Sequence, residues 1–273
     1  MGAPVGLAAL CRRYQHKNLI SSEFSACCAL DLGPKDWYNR PMLARSSAPA
    51  AFAFLGVLTI ILVSASLYLI FMVVPNEVTM GPVQRIFYFH VAAALSCYAA
   101  FGAVFVASIA YLATGSRAAD RISAACGEVG FVLCTIVLAT GMIWGHSAWN
   151  TWFRWEEPRL VTFLVLWLIF LSFTVLRNFS DPSKTAVHSA ILGILGAASV
   201  PLVYVSIKFL PASARLHPEV IEHGGLKDPS YWWAFGHTTI ALLFLTAYLS
   251  WLRYRIETAH EHARARSAEE VIA

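Results

Sequence analysis

The sixteen residues from Trp144 to Arg159, WGHSAWNTWFRWEEPR, hold four of the chain's nine tryptophans, Trp144, Trp149, Trp152 and Trp155. Tryptophan collects at membrane borders, where its apolar body and polar N–H suit an interface. Four within twelve positions exceed what anchoring requires. Flat aromatic faces beside His146, Arg154 and Arg159 make a surface for a flat, hydrophobic, anionic ligand. Ring stacking supplies apolar burial, and a guanidinium pairs with carboxylate through two parallel hydrogen bonds. Haem fits that description best.

The elements that must carry this stretch are membrane spans. The chain of 273 residues is 58% hydrophobic and 13% charged, with a mean hydropathy of +0.60, whereas a soluble domain is about a quarter charged. Six apolar segments are each near the roughly 20 residues that a bilayer core requires. They lie at about 50–74, 86–114, 122–143, 160–176, 185–207 and 231–252. Runs of this composition must satisfy their own backbone hydrogen bonds as helices. The expected fold is an all-α integral membrane protein with six transmembrane helices. Its expected organisation is a polar, disordered N-terminal extension over 1–49, a six-helix membrane domain over 50–253 and a polar tail over 254–273. The sequence MLARSSAPAAFAF also suggests Met42 as the biological start.

Lys and Arg set the orientation. Fourteen of the twenty fall on the side of the two termini and six on the other, and without the N-terminal extension the ratio is eight to six. Both termini are therefore expected in the cytoplasm. Three connections then face outward, at about 75–85, 144–159 and 208–230, and the inner loops 116–120 and 178–184 read as plain connectors. His90 lies just inside the second span and His217 in the third outer connection. Three of the six cysteines, Cys97, Cys126 and Cys134, fall in apolar runs, where Cys behaves as a small hydrophobe. No zinc spacing, phosphate loop or nucleophile–base pair is evident, so no enzymatic activity is expected.

Trp144-Gly145, then Trp149, Trp152 and Trp155, an acidic residue and Arg159-Leu160 resemble the tryptophan-rich WWD motif of haem-handling cytochrome c assembly proteins. Gln84 to Val91, QRIFYFHV, resembles that group's segment with an axial histidine. Pro201-Leu202-Val203 followed by Leu216-His217 resembles the segment with the second one. Size and span number match the CcmC branch better than CcmF or CcsA. The likeness covers about residues 50–253. It implies a protein that presents haem, b-type and transiently bound, at the periplasmic face and delivers it to a CcmE-like haem chaperone. CcmA/CcmB-like ABC transporter subunits and a small CcmD-like membrane subunit are the further implied partners.

Carried over by position, His90 and His217 are the iron ligands and Trp144, Trp149, Trp152 and Trp155 the platform. Asp usually follows the last Trp directly; here Glu156 and Glu157 stand there, the acidic role belongs to either, and Glu157 is taken as the candidate. A lysine is common where His146 stands. The segment before His217 is longer than the family form by about three residues and lacks its paired tryptophans, so His146 and His223 are competing ligands. Arg85 and Arg159 are the candidate propionate partners, with Arg154 behind them or on a lipid headgroup. Trp232 and Trp233 read as anchors, with lining of the site left open as a second role, and His237 as a packing histidine. Glu128, an intramembrane carboxylate, either reaches the interface or lines a haem path. Two other readings compete: a haem-bearing anchor of a redox enzyme, with His188 and His237 as a poor pair, and a haem-free solute transporter.

Overall fold

The computed structural model describes residues 48–179, 182–209 and 226–272. The N-terminal extension up to residue 47, the alternative start Met42, and both His217 and His223 lie outside the described residues. Residues 50–273 form one compact unit.

Among the described residues six α-helices follow in order: α1 (Ala48–Tyr68), α2 (Ile86–Thr114), α3 (Arg117–Trp149), α4 (Pro158–Phe179), α5 (Pro182–Val205) and α6 (Pro229–Ile272). Each contains a stretch long and apolar enough to cross a membrane. A π-helical turn at Leu69–Val73 ends α1, and short 3-10 turns occupy Pro82–Arg85 and Ser206–Phe209.

Helix boundaries depart from the expected spans because a helix need not stop where the bilayer does. α3 begins at Arg117 rather than near 122 and runs on to Trp149, six residues past Ile143. The expected outer connection 144–159 therefore shrinks to 150–157, and Trp144 and Trp149 sit on a helix instead of in a loop. Asn150 ends that helix with φ 53°, its N–H bonding the His146 carbonyl. Asparagine tolerates this left-handed conformation better than most residues. Pro158 opens α4 at the position where its missing N–H costs nothing.

The connection at 116–120, expected on the inner side, is more than a connector. Gly115, with φ 68°, caps α2, and the next residue, Ser116, already caps α3 by accepting from the Ala119 N–H. α2 and α3 thus form a tight hairpin. Asp120, in the first turn of α3, accepts two bonds from the Arg177 guanidinium of α4, at 2.8 and 3.2 Å, and Arg177 also donates to Ser189 of α5. This cluster fixes three helices at the end of the bundle opposite the tryptophans.

Between the ends, Phe101, Leu166, Phe170 and Phe173 are fully buried among α2 to α5. Lipid tails are as apolar as these side chains, so close packing rather than water exclusion holds such helices together. Small residues permit that approach. A Cβ on Gly130 would lie 2.6 Å from the Phe101 ring, and one on Gly196 2.8 Å from Phe170. Cys97, Cys126 and Cys134 are buried and free, as small apolar residues should be.

α1 is peripheral, with Phe54, Ile60 and Ile61 exposed. It is held to α6 by a hydrogen bond between Ser66 and His237 Nδ1 at 2.9 Å and by stacking of Phe52 on Tyr248. His237 is thus a packing histidine. Glu128 pairs with Arg253 of α6 at 2.6 Å, and Arg253 also bonds Glu257. The intramembrane carboxylate therefore meets its cation between α3 and α6.

Candidate functional site: an aromatic cavity beside His90

At the tryptophan end, α2, α3, α4 and α5 leave between them a cavity of about 550 Å³. This lies within the roughly 300–1,000 Å³ of small-molecule sites. Helical periodicity builds its walls. Phe87, His90, Val91, Ala94 and Tyr98 share one face of α2, and Val137, Gly141 and Trp144 share one face of α3. Arg159 and Phe163 of α4 and Tyr204 of α5 close the far side, while Trp149 and Phe153 line it from the end of α3 and the following turn.

His90 lies just past the first turn of α2. Its Nδ1 is 3.0 Å from Thr140 Oγ1 across the helix interface. Gly141 faces the same ring, so close that a Cβ there would stand 3.1 Å from Cε1. Trp144 and Trp149 meet edge to face, with centroids 5.2 Å apart and planes at 86°. The Arg154 guanidinium lies over the Trp149 ring at 5.8 Å. Arg159 reaches the cavity and donates from Nη2 to the Tyr204 carbonyl at 3.4 Å.

The remaining sequence candidates sit elsewhere. Trp152 and Trp155 are 54% and 70% exposed and do not line the cavity. His146 is exposed too and stacks on Trp152 at 4.3 Å, so it belongs to the rim. Arg85 points back to α1, donating to the Phe71 and Val74 carbonyls at 3.4 and 3.5 Å. Those carbonyls end the first span, where helical partners run out. Of the two glutamates, Glu156 is exposed and Glu157 is only 1% exposed. Glu157 caps α4, its carbonyl accepting from Leu160 and Val161, which puts a carboxylate at the positive end of the helix dipole. Trp232 donates to the Leu226 carbonyl at 3.0 Å and, like Trp233, stays off the cavity wall.

Sequence reading missed Thr140, Gly141, Tyr98, Phe153, Tyr204 and Glu77. The first two had a usable signal, since they stand four and three residues before Trp144, on its side of α3. Glu77, at the cavity mouth, accepts from the N–H groups of Met80 and Thr79 at 2.6 and 2.7 Å. The Met80 N–H above all, helped by those of Thr79 and Val78 and by the Lys227 charge, holds this carboxyl below its usual range. The mouth therefore keeps a fixed negative charge at neutral pH, opposite in sign to Arg159.

The arrangement suits a planar apolar guest with a metal at its centre. One imidazole stands in an apolar wall, two indoles lie beside it, and a guanidinium is within the same cavity for an anionic group. A wall with one imidazole suits a metal that brings its own equatorial ligands; among the described residues there is no cluster of three or more His, Cys, Asp or Glu.

Comparison with known proteins gives a consistent answer. Residues 36–269 match the family described as Heme exporter protein C, CcmC. The chain is 30% identical to the Heme exporter protein C of Bradyrhizobium diazoefficiens over 206 residues, covering 74% of this chain and 78% of that protein. It is 28% identical to that of Escherichia coli strain K12 over 186 residues, covering 66% and 73%. With the Haemophilus influenzae protein the identity is 28% over 219 residues, covering 78% and 85%.

Proposed function

Since the chain belongs to the heme exporter protein C family, and so takes part in haem handling for cytochrome c maturation as a multi-pass protein of the bacterial inner membrane, we propose that it holds haem in the His90 cavity and hands it on at the periplasmic face. The observation that carries this reading is the convergence of His90, Trp144, Trp149 and Arg159 on one cavity. They come from three helices, α2, α3 and α4, and an interfacial belt has no need to bring them together.

In this reading His90 binds the iron through a ring nitrogen, a role to which neutral imidazole is suited. His217, outside the described residues, is the second axial ligand. Trp144 and Trp149 lie against the porphyrin, and Arg159 takes a propionate. Glu157 steadies the start of α4 and thereby Arg159, two residues on. Arg85 acts indirectly, by tying the end of α1 to the start of α2. The exposed Trp152 and Trp155 form the rim that a CcmE-like chaperone meets as it accepts the cargo. The haem is b-type, held without covalent bonds and released. The CcmA/CcmB-like transporter subunits and the CcmD-like subunit provide what this chain's short inner loops do not, including any nucleotide site. The chain's own work is to bind, orient and release. The redox-anchor reading gains nothing from His237, which packs against Ser66 of α1 and does not line the cavity.

Orientation tests the reading directly. Alkaline phosphatase fused after Asn150 should be active, and the same reporter fused after Phe179 inactive, with both termini cytoplasmic. An active fusion after Phe179 and a silent one after Asn150 would put the cavity mouth on the wrong side and remove the proposal.

A further inference from the structure

We propose that Thr140 is a positioning residue that sets the tautomer of His90, leaving Nε2 as the lone-pair donor. The argument is one of proton accounting. A threonine hydroxyl has a single proton and two lone pairs. That of Thr140 donates along its own helix, to the Ile136 carbonyl at 2.7 Å, with the Val137 carbonyl a second acceptor at 3.2 Å. The contact between Thr140 Oγ1 and His90 Nδ1, at 3.0 Å, must then use the ring's proton. Nδ1 carries the hydrogen, and in the neutral ring Nε2 does not.

A ring nitrogen must offer a lone pair to bind iron, and which nitrogen does so is fixed by the bond the other one makes. Free imidazole side chains can exchange the two forms; this one is held to one of them by α3, through the Thr140 hydroxyl with the Val137 carbonyl beside it. Gly141 completes the arrangement. With no side chain, it lets the ring settle against α3, where a Cβ would stand 3.1 Å from Cε1. Thr140 and Gly141 are adjacent, so one helix segment decides both the proton and the position of the ring.

The value of this arrangement to haem binding rests on the reading of His90 as ligand, but the tautomer itself does not, and the two are separable. Nitrogen-15 spectra of histidine-labelled protein without haem, with the His90 signals assigned by their loss in His90→Gln, should show a protonated Nδ1 and a bare Nε2. Thr140→Val, which keeps the shape and removes the acceptor, should shift the ring toward the Nε2–H form and lower ferric haem affinity about 10–100-fold, as loss of such outer partners does at other metal sites. Thr140→Ser should restore both. A protonated Nε2 at His90 in the wild-type protein overturns the inference whatever haem does, and it does so even where Thr140→Val fails to fold. A tautomer as described, with ferric haem binding unchanged in His90→Ala, leaves the inference standing and overturns the ligand reading instead.

Discussion

Replacing His90 by alanine abolishes the Soret band of haem ligated by two histidines in protein purified from haem-replete cells. The substitution removes the one imidazole lining the described cavity. What remains of the cavity wall, two indole faces and the Arg159 guanidinium, can retain porphyrin by apolar contact and a charge-assisted bond, and the iron keeps only His217 of its two proposed ligands. Loss of an outer partner at a metal site already costs about 10–100-fold, so loss of the ligand should cost at least about 100-fold. Titration with ferric haem, followed by absorbance, measures it. His146→Ala is the informative companion, because His146 stacks on Trp152 at the rim and its removal should leave the band in place. Should the two variants behave the other way round, the ligand is at the rim and the cavity is an incidental gap.

Gly141→Leu should silence binding by a different route, with the ligand still present. At this position even a methyl group would press on the His90 ring at 3.1 Å. A leucine must either push the imidazole away or lie in the space the guest needs. Displacing a reacting group by about 1 Å can cost about 100-fold in function, and an effect of that order is expected on haem affinity. Stability should fall by no more than about 2.5 kcal/mol, since the roughly 0.5–1 kcal/mol gained by replacing a mid-helix glycine offsets part of the roughly 1–3 kcal/mol that overpacking costs. A denaturation profile in detergent beside the haem titration separates these outcomes. Unaltered affinity would mean that the His90 ring does not need its place against α3.

The six spans were legible because twenty-residue apolar runs carry their own physical meaning. Their ends were not. Hydropathy falls at Ile143, yet the peptide hydrogen bonds continue to Trp149, where Asn150 and not the bilayer stops them. That one displacement moved Trp144 and Trp149 from a presumed loop onto a helix face and separated them from Trp152 and Trp155, which spacing alone had made a single platform. Arg85 illustrates a second limit. Its charge and position suggested an anion partner, but the carbonyls it meets belong to Phe71 and Val74, eleven and more residues away. Glu128 looked costly in isolation, and its partner Arg253 lies 125 residues on. Pairings of that kind are set by how helices dock, which no local pattern records. His90 needed no such help, being an ionisable group within a span beside a recognisable motif.

The greasy walls of the His90 chamber have a practical corollary. A solubilised membrane protein is surrounded by surfactant, and an alkyl tail is the sort of guest that a largely apolar hollow of about 550 Å³ admits. Such tails would compete with porphyrin for the same room, so apparent haem affinity should weaken as micelle concentration rises and recover on reconstitution into lipid discs. Extraction chemistry, as much as the chain, would then decide whether a preparation comes off the column red or colourless.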